Sequence, residues 1–384
     1  MTPQNLLLAR LDAFATGCDE AEKAINSKGI NAQLFNRAAP DLLLRISTQR
    51  KKIENQRSRI EKNHIGADSW NLLQTYEADG STLFGECLAF LQAARARGHD
   101  VDGDLCEIAD ALLDELAGGL ANIDWKRFTV LATEEFFLDL AQIIRVRFPC
   151  SGIWDLPISA HEFGHFVAGR LNVIRADGSH GLPFQRFKED FKKQHADRGN
   201  EWMFYLEEYF ADVFATFALG PAYLCTCLLL RFDPASAHSE NDKQHPSYAK
   251  RAYAILQTLR RMSMEKDAQG LQTAADALSE FWNEALTAAG KSVIVPEKDF
   301  VDGVVLNLYE MLKNGAPLAR FNRWENAKKQ CPWVEKGELP AEVEAADLKI
   351  SDLLNAGWLC RLKDGADARS LSNNVIRLCR LRGK

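Results

Sequence analysis

His161-Glu162-Phe163-Gly164-His165 is a pentad whose meaning depends on the backbone that carries it. In a helix of 3.6 residues per turn, positions four apart lie one above the other on one face. Two imidazoles placed that way can bind one zinc ion at about 2.0–2.1 Å each. Glu162, between them, can then reach the water on that zinc as a general base. Downstream, Glu207-Glu208-Tyr209-Phe210-Ala211-Asp212 lies in an amphipathic run from about Glu201 to Leu219 that reads as a second helix. Glu208 and Asp212 are again four apart and share a face. Two acids among Phe, Tyr, Leu and Ala are costly to bury unless a cation compensates. One zinc ion per chain, held by His161, His165 and Glu208, is that cation, with the fourth position open to water. Asp212 is expected behind the ligands, accepting a hydrogen bond from the distal nitrogen of one histidine and fixing its tautomer. Glu207 competes for the third position, but it sits about 100° round the helix from Glu208 and has no aspartate four residues on.

The set resembles the gluzincin metallopeptidases. His161-Glu162-x-x-His165, then Glu208-x-x-Ala211-Asp212-x-x-Ala215, then His245-Pro246 and Arg251 follow the motif order of the CaaX-processing and heat-shock zinc proteases, over about residues 155–255. The resemblance implies a zinc-activated water attacking a peptide carbonyl, with Glu162 moving its proton to the leaving amine. It also puts His245 in the role of donor to the oxyanion that forms, presented by a helix that Pro246 begins. Tyr209 and Tyr248 are alternative donors. Arg251 either braces the site by pairing with an acid or lies on the helix surface. Those relatives are multi-span membrane proteins, and here the chain departs from them. Its longest apolar candidate, Ala222 to Leu230, falls well short of the roughly 20 residues a span requires.

Composition narrows the remaining classes. A net charge of -6 argues against nucleic acid as a partner, which usually selects a basic excess. With 46% hydrophobic and 26% charged residues, the chain has ordinary globular composition. The first residues, Met1 to Phe14, carry no basic segment before their apolar run and do not read as a signal peptide. Nine cysteines form no CxxC pair, so neither a zinc ribbon nor a dithiol redox site is indicated. Free thiols suit a reducing compartment, and a cytoplasmic location is expected.

Helical periodicity dominates elsewhere, with runs over 4–26, 69–97, 103–121, 247–264, 270–289, 298–314, 318–330 and 341–356. Pro40 opens another run to about Asn63, in which Ile46, Ile53 and Ile60 are spaced by seven. Gln49 and Gln56 interrupt that stripe, so a helix packed on the body is expected rather than a coiled coil. Ile144-Arg145-Val146-Arg147-Phe148 alternates apolar and basic residues at the strand period, and Phe128 to Leu131 is a candidate partner for it. The polar, glycine-bearing stretch 173–200 reads as a surface excursion beside the cleft. The basic end, Arg377 to Lys384, reads as a solvated tail.

The expected fold is therefore mainly α (α+β), a bundle-like metallopeptidase with a small β element beside the HExxH helix. Its sections are a helical N-terminal part (1–125), a zinc metallopeptidase core (126–265) and a helical C-terminal part (266–384). The expected partners are a peptide or protein substrate and a regulatory protein, with no membrane span. A zinc amidase acting on a non-protein or small-peptide substrate, and a catalytically silent zinc-stabilised regulatory protein, are the alternatives. Retention of Glu162, which catalysis needs and metal binding does not, argues against the silent form.

Overall fold

A computed structural model describes residues 3–26, 32–62, 67–98, 105–121, 123, 129–132, 137–138, 143–147, 152–174, 180–196, 198–240, 244–268 and 270–382. The chain is mainly helical, with fourteen α-helices among the described residues. It forms two compact units.

Three long helices make up most of the first unit: α1 (Pro3–Ile25), α2 (Ala32–Glu61) and α3 (Ala67–Gly98). Each packs on the other two. The stripe on α2 is buried as the spacing predicts, with Ile46, Ile53 and Ile60 in the core beside Gln49 and Gln56. The Gln49 amide donates to the Tyr76 carbonyl at 3.2 Å, so its burial does not strand a polar group. Pro40 does not open this helix. It lies inside, eight residues after the start at Ala32, where it removes one backbone donor.

The second unit runs from α4 (Leu105–Ala117) to the end of the described chain. Short strands cover Thr129–Ala132 (β1), Phe137–Leu138 (β2) and Ile143–Arg147 (β3) in the segments that alternate between the units. Next come α5 (Ile158–Ala168), the hairpin of β4 (Val173–Ile174) and β5 (His180–Gly181), and α6 (Pro183–Gln194). β4 and β5 pair antiparallel, Val173 opposite Gly181. The second half holds α7 (Glu201–Leu219), α8 (Pro221–Thr226), α9 (Tyr248–Ser263), α10 (Leu271–Ala288), α11 (Lys298–Gly315), α12 (Trp324–Lys336), α13 (Ile350–Arg361) and α14 (Ala368–Leu381).

A helix that is apolar all round belongs in the middle of a protein, and α7 is that helix here. From Tyr205 onward all but Glu207 are buried. It packs against α5, α8, α9 and α11. The elements packed most extensively on α5 are α7 and α4, both helices, so helices rather than a strand edge supply the main support of the HExxH segment.

Several expectations are revised. The sections drawn at 125 and 265 do not coincide with the two units: α4 belongs with α5, and the helices beyond 265 share one core with α5, α7 and α9. The stretch 173–200 contains α6, whose Phe184 and Phe191 are buried against Phe210 and Trp202. The basic end is mostly helix, because α14 buries Leu371, Val375, Leu378 and Cys379; arginines occupying the opposite face had masked its apolar stripe. No described helix is long and apolar enough to cross a membrane.

Candidate metal centre

The site is built where α5 crosses α7. Gly164, inside the pentad, faces Ala211, and a Cβ on Gly164 would stand 2.8 Å from the Ala211 Cα. Any side chain there would push the helices apart. Glycine and alanine at the crossing let the His161/His165 face meet the Glu208/Asp212 face.

The ligand atoms converge. His161 Nε2 and His165 Nε2 are 3.3 Å apart. The Glu208 carboxylate spans both rings, with Oε2 at 3.5 Å from His161 Nε2 and Oε1 at 3.3 Å from His165 Nε2. A tetrahedron with ~2.0 Å metal–ligand spokes has edges of roughly 3.3 Å. The three side chains are thus set at the separations a zinc ion requires, and among the described residues they are the group of this kind. Glu208 Oε2 is buried without a hydrogen-bond partner among the described residues, although a guanidinium nitrogen of Arg251 lies 3.3 Å away.

Behind the ligands lies an acid–base network. His161 Nδ1 is 3.0 Å from Asp212 Oδ1. A proton shared on that side turns the Nε2 lone pair toward the converging ligand atoms. Asp212 is fully buried and held from three directions. Arg251 donates to both of its oxygens at 2.8 Å. The Tyr223 hydroxyl donates to Oδ1 at 2.6 Å and lies 3.1 Å from His161 Nδ1. The third Arg251 nitrogen, Nη1, stands 3.3 Å from Glu208 Oε2.

The electrostatics favour positive charge at the cluster. Burial alone would raise the carboxylates. Arg251 and the histidines outweigh it, holding Glu208 well below the usual carboxylate range and Asp212 at about 2. Burial would likewise depress His161, but hydrogen bonds to Asp212 and Glu208 lift it to about 10. The pocket therefore keeps a proton where a metal would sit, and metal binding displaces such protons.

The open side is marked by exposure. His161, Glu162 and Glu208 are buried, the His165 side chain is 22% exposed and His245 is 45% exposed. His245 Nε2 stands 3.7 Å from Glu208 Oε1, at the cluster's rim. It lies in a bend before α9, which begins at Tyr248 rather than at Pro246; the buried Pro246 and Ser247 anchor that bend.

The other candidates separate cleanly. Glu207 is ion-paired to Lys188, so it is Glu208 that faces the histidines. Tyr209 is fully buried, and its hydroxyl has no partner among the described residues; Tyr248 stacks on Phe232 at 5.0 Å. His195 packs between Phe191 and Phe300. His238 Nε2 lies 2.8 Å from the Ser292 carbonyl. His64 and His99 lie outside the described residues. Arg251 proves to brace the site through Asp212.

Tyr223 was not anticipated. It sits in the apolar run Ala222–Leu230, where the one available signal is that a buried phenol needs a hydrogen-bond partner. Its aim is set by Asn355 on α13. That amide donates to the last carbonyl of α7, Leu219, at 2.8 Å and accepts from the Ala222 amide of α8 at 2.9 Å. The turn between the helices is fixed by that clamp.

Comparison of the chain with protein-family models, with curated proteins and with solved structures finds no match.

Proposed function

We propose that this chain is a zinc-dependent metallopeptidase of gluzincin type. The observation that carries the reading is the near-equilateral set of His161, His165 and Glu208 atoms at 3.3–3.5 Å, with Glu162 one residue from the first ligand. His161, His165 and Glu208 would hold the ion. Bound there, zinc lowers the pKa of water toward about 7 and polarises a carbonyl oxygen.

The remaining work falls to the chain's own residues. Glu162 takes the proton of the attacking water and delivers it to the leaving amine. Asp212 fixes the His161 ring, and Arg251 and Tyr223 keep Asp212 ionised and aligned. His245, at the open rim, donates to the oxyanion that develops on the scissile carbonyl. An extended substrate would bind along a strand edge, the general mode of peptide capture by β-addition; β3 is the extended segment that leads toward α5 in the sequence. The free thiols of Cys18, Cys87, Cys106, Cys225, Cys227, Cys331, Cys360 and Cys379 fit a reducing, cytoplasmic setting.

Metal analysis and a peptide library together test the reading. The purified chain should carry about one zinc, and His165→Ala should lose most of it. Glu162→Gln should keep its zinc and lose hydrolysis by about 10²–10⁴. Undiminished zinc in His165→Ala refutes the ligand set. Cleavage confined to small non-peptide amides favours an amidase. A zinc-loaded wild type that cuts neither leaves the regulatory alternative.

A further inference from the structure

Helices α12 and α13 lie side by side and run in the same direction. Arg323, at the start of α12, pairs with Asp352 at the start of α13 at 2.7 Å. Glu335, near the end of α12, pairs with Lys363, just past the end of α13. These ties join residues 29 and 28 apart and fix the register of the pair. Between them that register sets Cys331 opposite Cys360, again 29 residues on.

Small residues let the two backbones approach there. Ala327 and Ala356 are fully buried, and each lies four residues before one of the cysteines, on the same helix face. Each thiol reaches across the contact. Cys331 Sγ stands 3.8 Å from the Ala356 carbonyl oxygen on α13, and Cys360 Sγ stands 3.5 Å from the Cys331 carbonyl oxygen on α12. The thiols also meet each other, sharing a hydrogen bond.

The two sulfurs are not equivalent. Cys360 is buried, whereas Cys331 is, among the described cysteines, the one that is not. The hydrogen bond from Cys360 holds the Cys331 thiol below its ordinary value, and the Lys363 ammonium adds to this against burial and Glu335. The same bond, together with burial, pushes the Cys360 thiol up. A partly exposed thiol of lowered pKa beside a buried partner is the arrangement of an attacking and a resolving cysteine.

We propose that Cys331 and Cys360 form a reversible disulfide in response to hydrogen peroxide. The Cys331 thiolate attacks one peroxide oxygen and the O–O bond breaks. The sulfur becomes a sulfenic acid, and the second oxygen leaves as water, carrying the proton that Cys331 lost. The Cys360 sulfur then attacks the Cys331 sulfur, and the S–O bond breaks. Its hydroxyl departs as water with the Cys360 proton. Two thiols are oxidised and one peroxide is reduced, giving one disulfide and two waters; a dithiol reductant reverses the change. This chemistry does not depend on the function proposed for the metal cluster.

Oxidation of the reduced full chain by a slight excess of hydrogen peroxide tests this, read by a thiol count in denaturant and by mass spectrometry of unreduced peptides. Wild type should lose two of its nine thiols and yield a peptide pair linking Cys331 to Cys360, both reversed by dithiothreitol. Cys331→Ser should keep its thiols under the same treatment. Cys360→Ser should form no link, while dimedone labelling of Cys331 rises by about fivefold or more over wild type, because the sulfenic acid no longer finds its partner. The proposal is overturned by the absence of the Cys331–Cys360 link in wild type, by thiol loss in Cys331→Ser equal to that of wild type, or by equal dimedone labelling of Cys331 in wild type and Cys360→Ser.

Discussion

Two aspartates of the second unit are fully buried, each is paired with an arginine, and they behave oppositely. Asp212 is held at about 2, whereas burial pushes Asp352 up to about 6 despite Arg323 beside it. The difference lies in the partners. Both Asp212 oxygens are served by a buried Arg251, and Tyr223 and His161 add to Oδ1. Asp352 receives one bond at 2.7 Å from Arg323, whose side chain is 39% exposed. Its Oδ1 has no partner among the described residues. A buried carboxylate thus stays charged when several desolvated donors converge on it, and one wet arginine does not suffice. Only Asp212 is suited to bracing a metal ligand.

The sharpest way to break this contrast is to remove each arginine. Arg251→Met leaves two buried carboxylates without their cation, and should cost about 3–5 kcal/mol in chemical unfolding. Arg323→Met should cost no more than about 3 kcal/mol, because Asp352 can take up a proton. Equal losses would mean that the two pairs are alike after all.

Next in size is a pH effect centred on Asp352. Its folded pKa lies above the unfolded value, so between about pH 4 and 6 the folded chain holds a proton that the unfolded chain has released. Stability from this group is present below about pH 4 and declines as pH rises through 6, by about 3 kcal/mol. Unfolding of the wild type and Asp352→Asn across that range should show a steeper decline in the wild type, because buried Asp155 is raised too and remains in both. Parallel curves would place the titration elsewhere.

Metal affinity sharpens the comparison further. Asp212→Asn should weaken zinc binding about 10–100-fold, the usual cost of losing a carboxylate behind a histidine ligand, and Asp352→Asn should leave it unchanged. Competition with a chromogenic chelator reads both. The smallest effect is expected from Tyr223→Phe, which removes one of several donors to Asp212. A stability loss of about 1 kcal/mol with a few-fold weaker zinc affinity would assign the hydroxyl to the network; no change in either would make it a packing residue.

The features legible in the sequence are those a single helix contains. Residues four apart share a face whatever surrounds them, so His161 with His165 and Glu208 with Asp212 could be read directly, as could the choice of Glu208 over Glu207. The mainly helical composition and the burial of Ile46, Ile53 and Ile60 follow from the same periodicity. Helices hidden by their own chemistry were harder: α6 was masked by glycine and charge in the segment around it, and α14 by its arginines.

What remained was decided by tertiary structure. Tyr223, 62 residues from His161, and Arg251, 39 residues from Asp212, reach the site only because Asn355 clamps the turn between α7 and α8 and because α9 packs on α7. The unlike fates of Asp212 and Asp352 belong to that level as well. Local periodicity fixes which side chains share a helix face, but desolvation and the number of converging donors depend on which helices meet, and no short-range pattern encodes that.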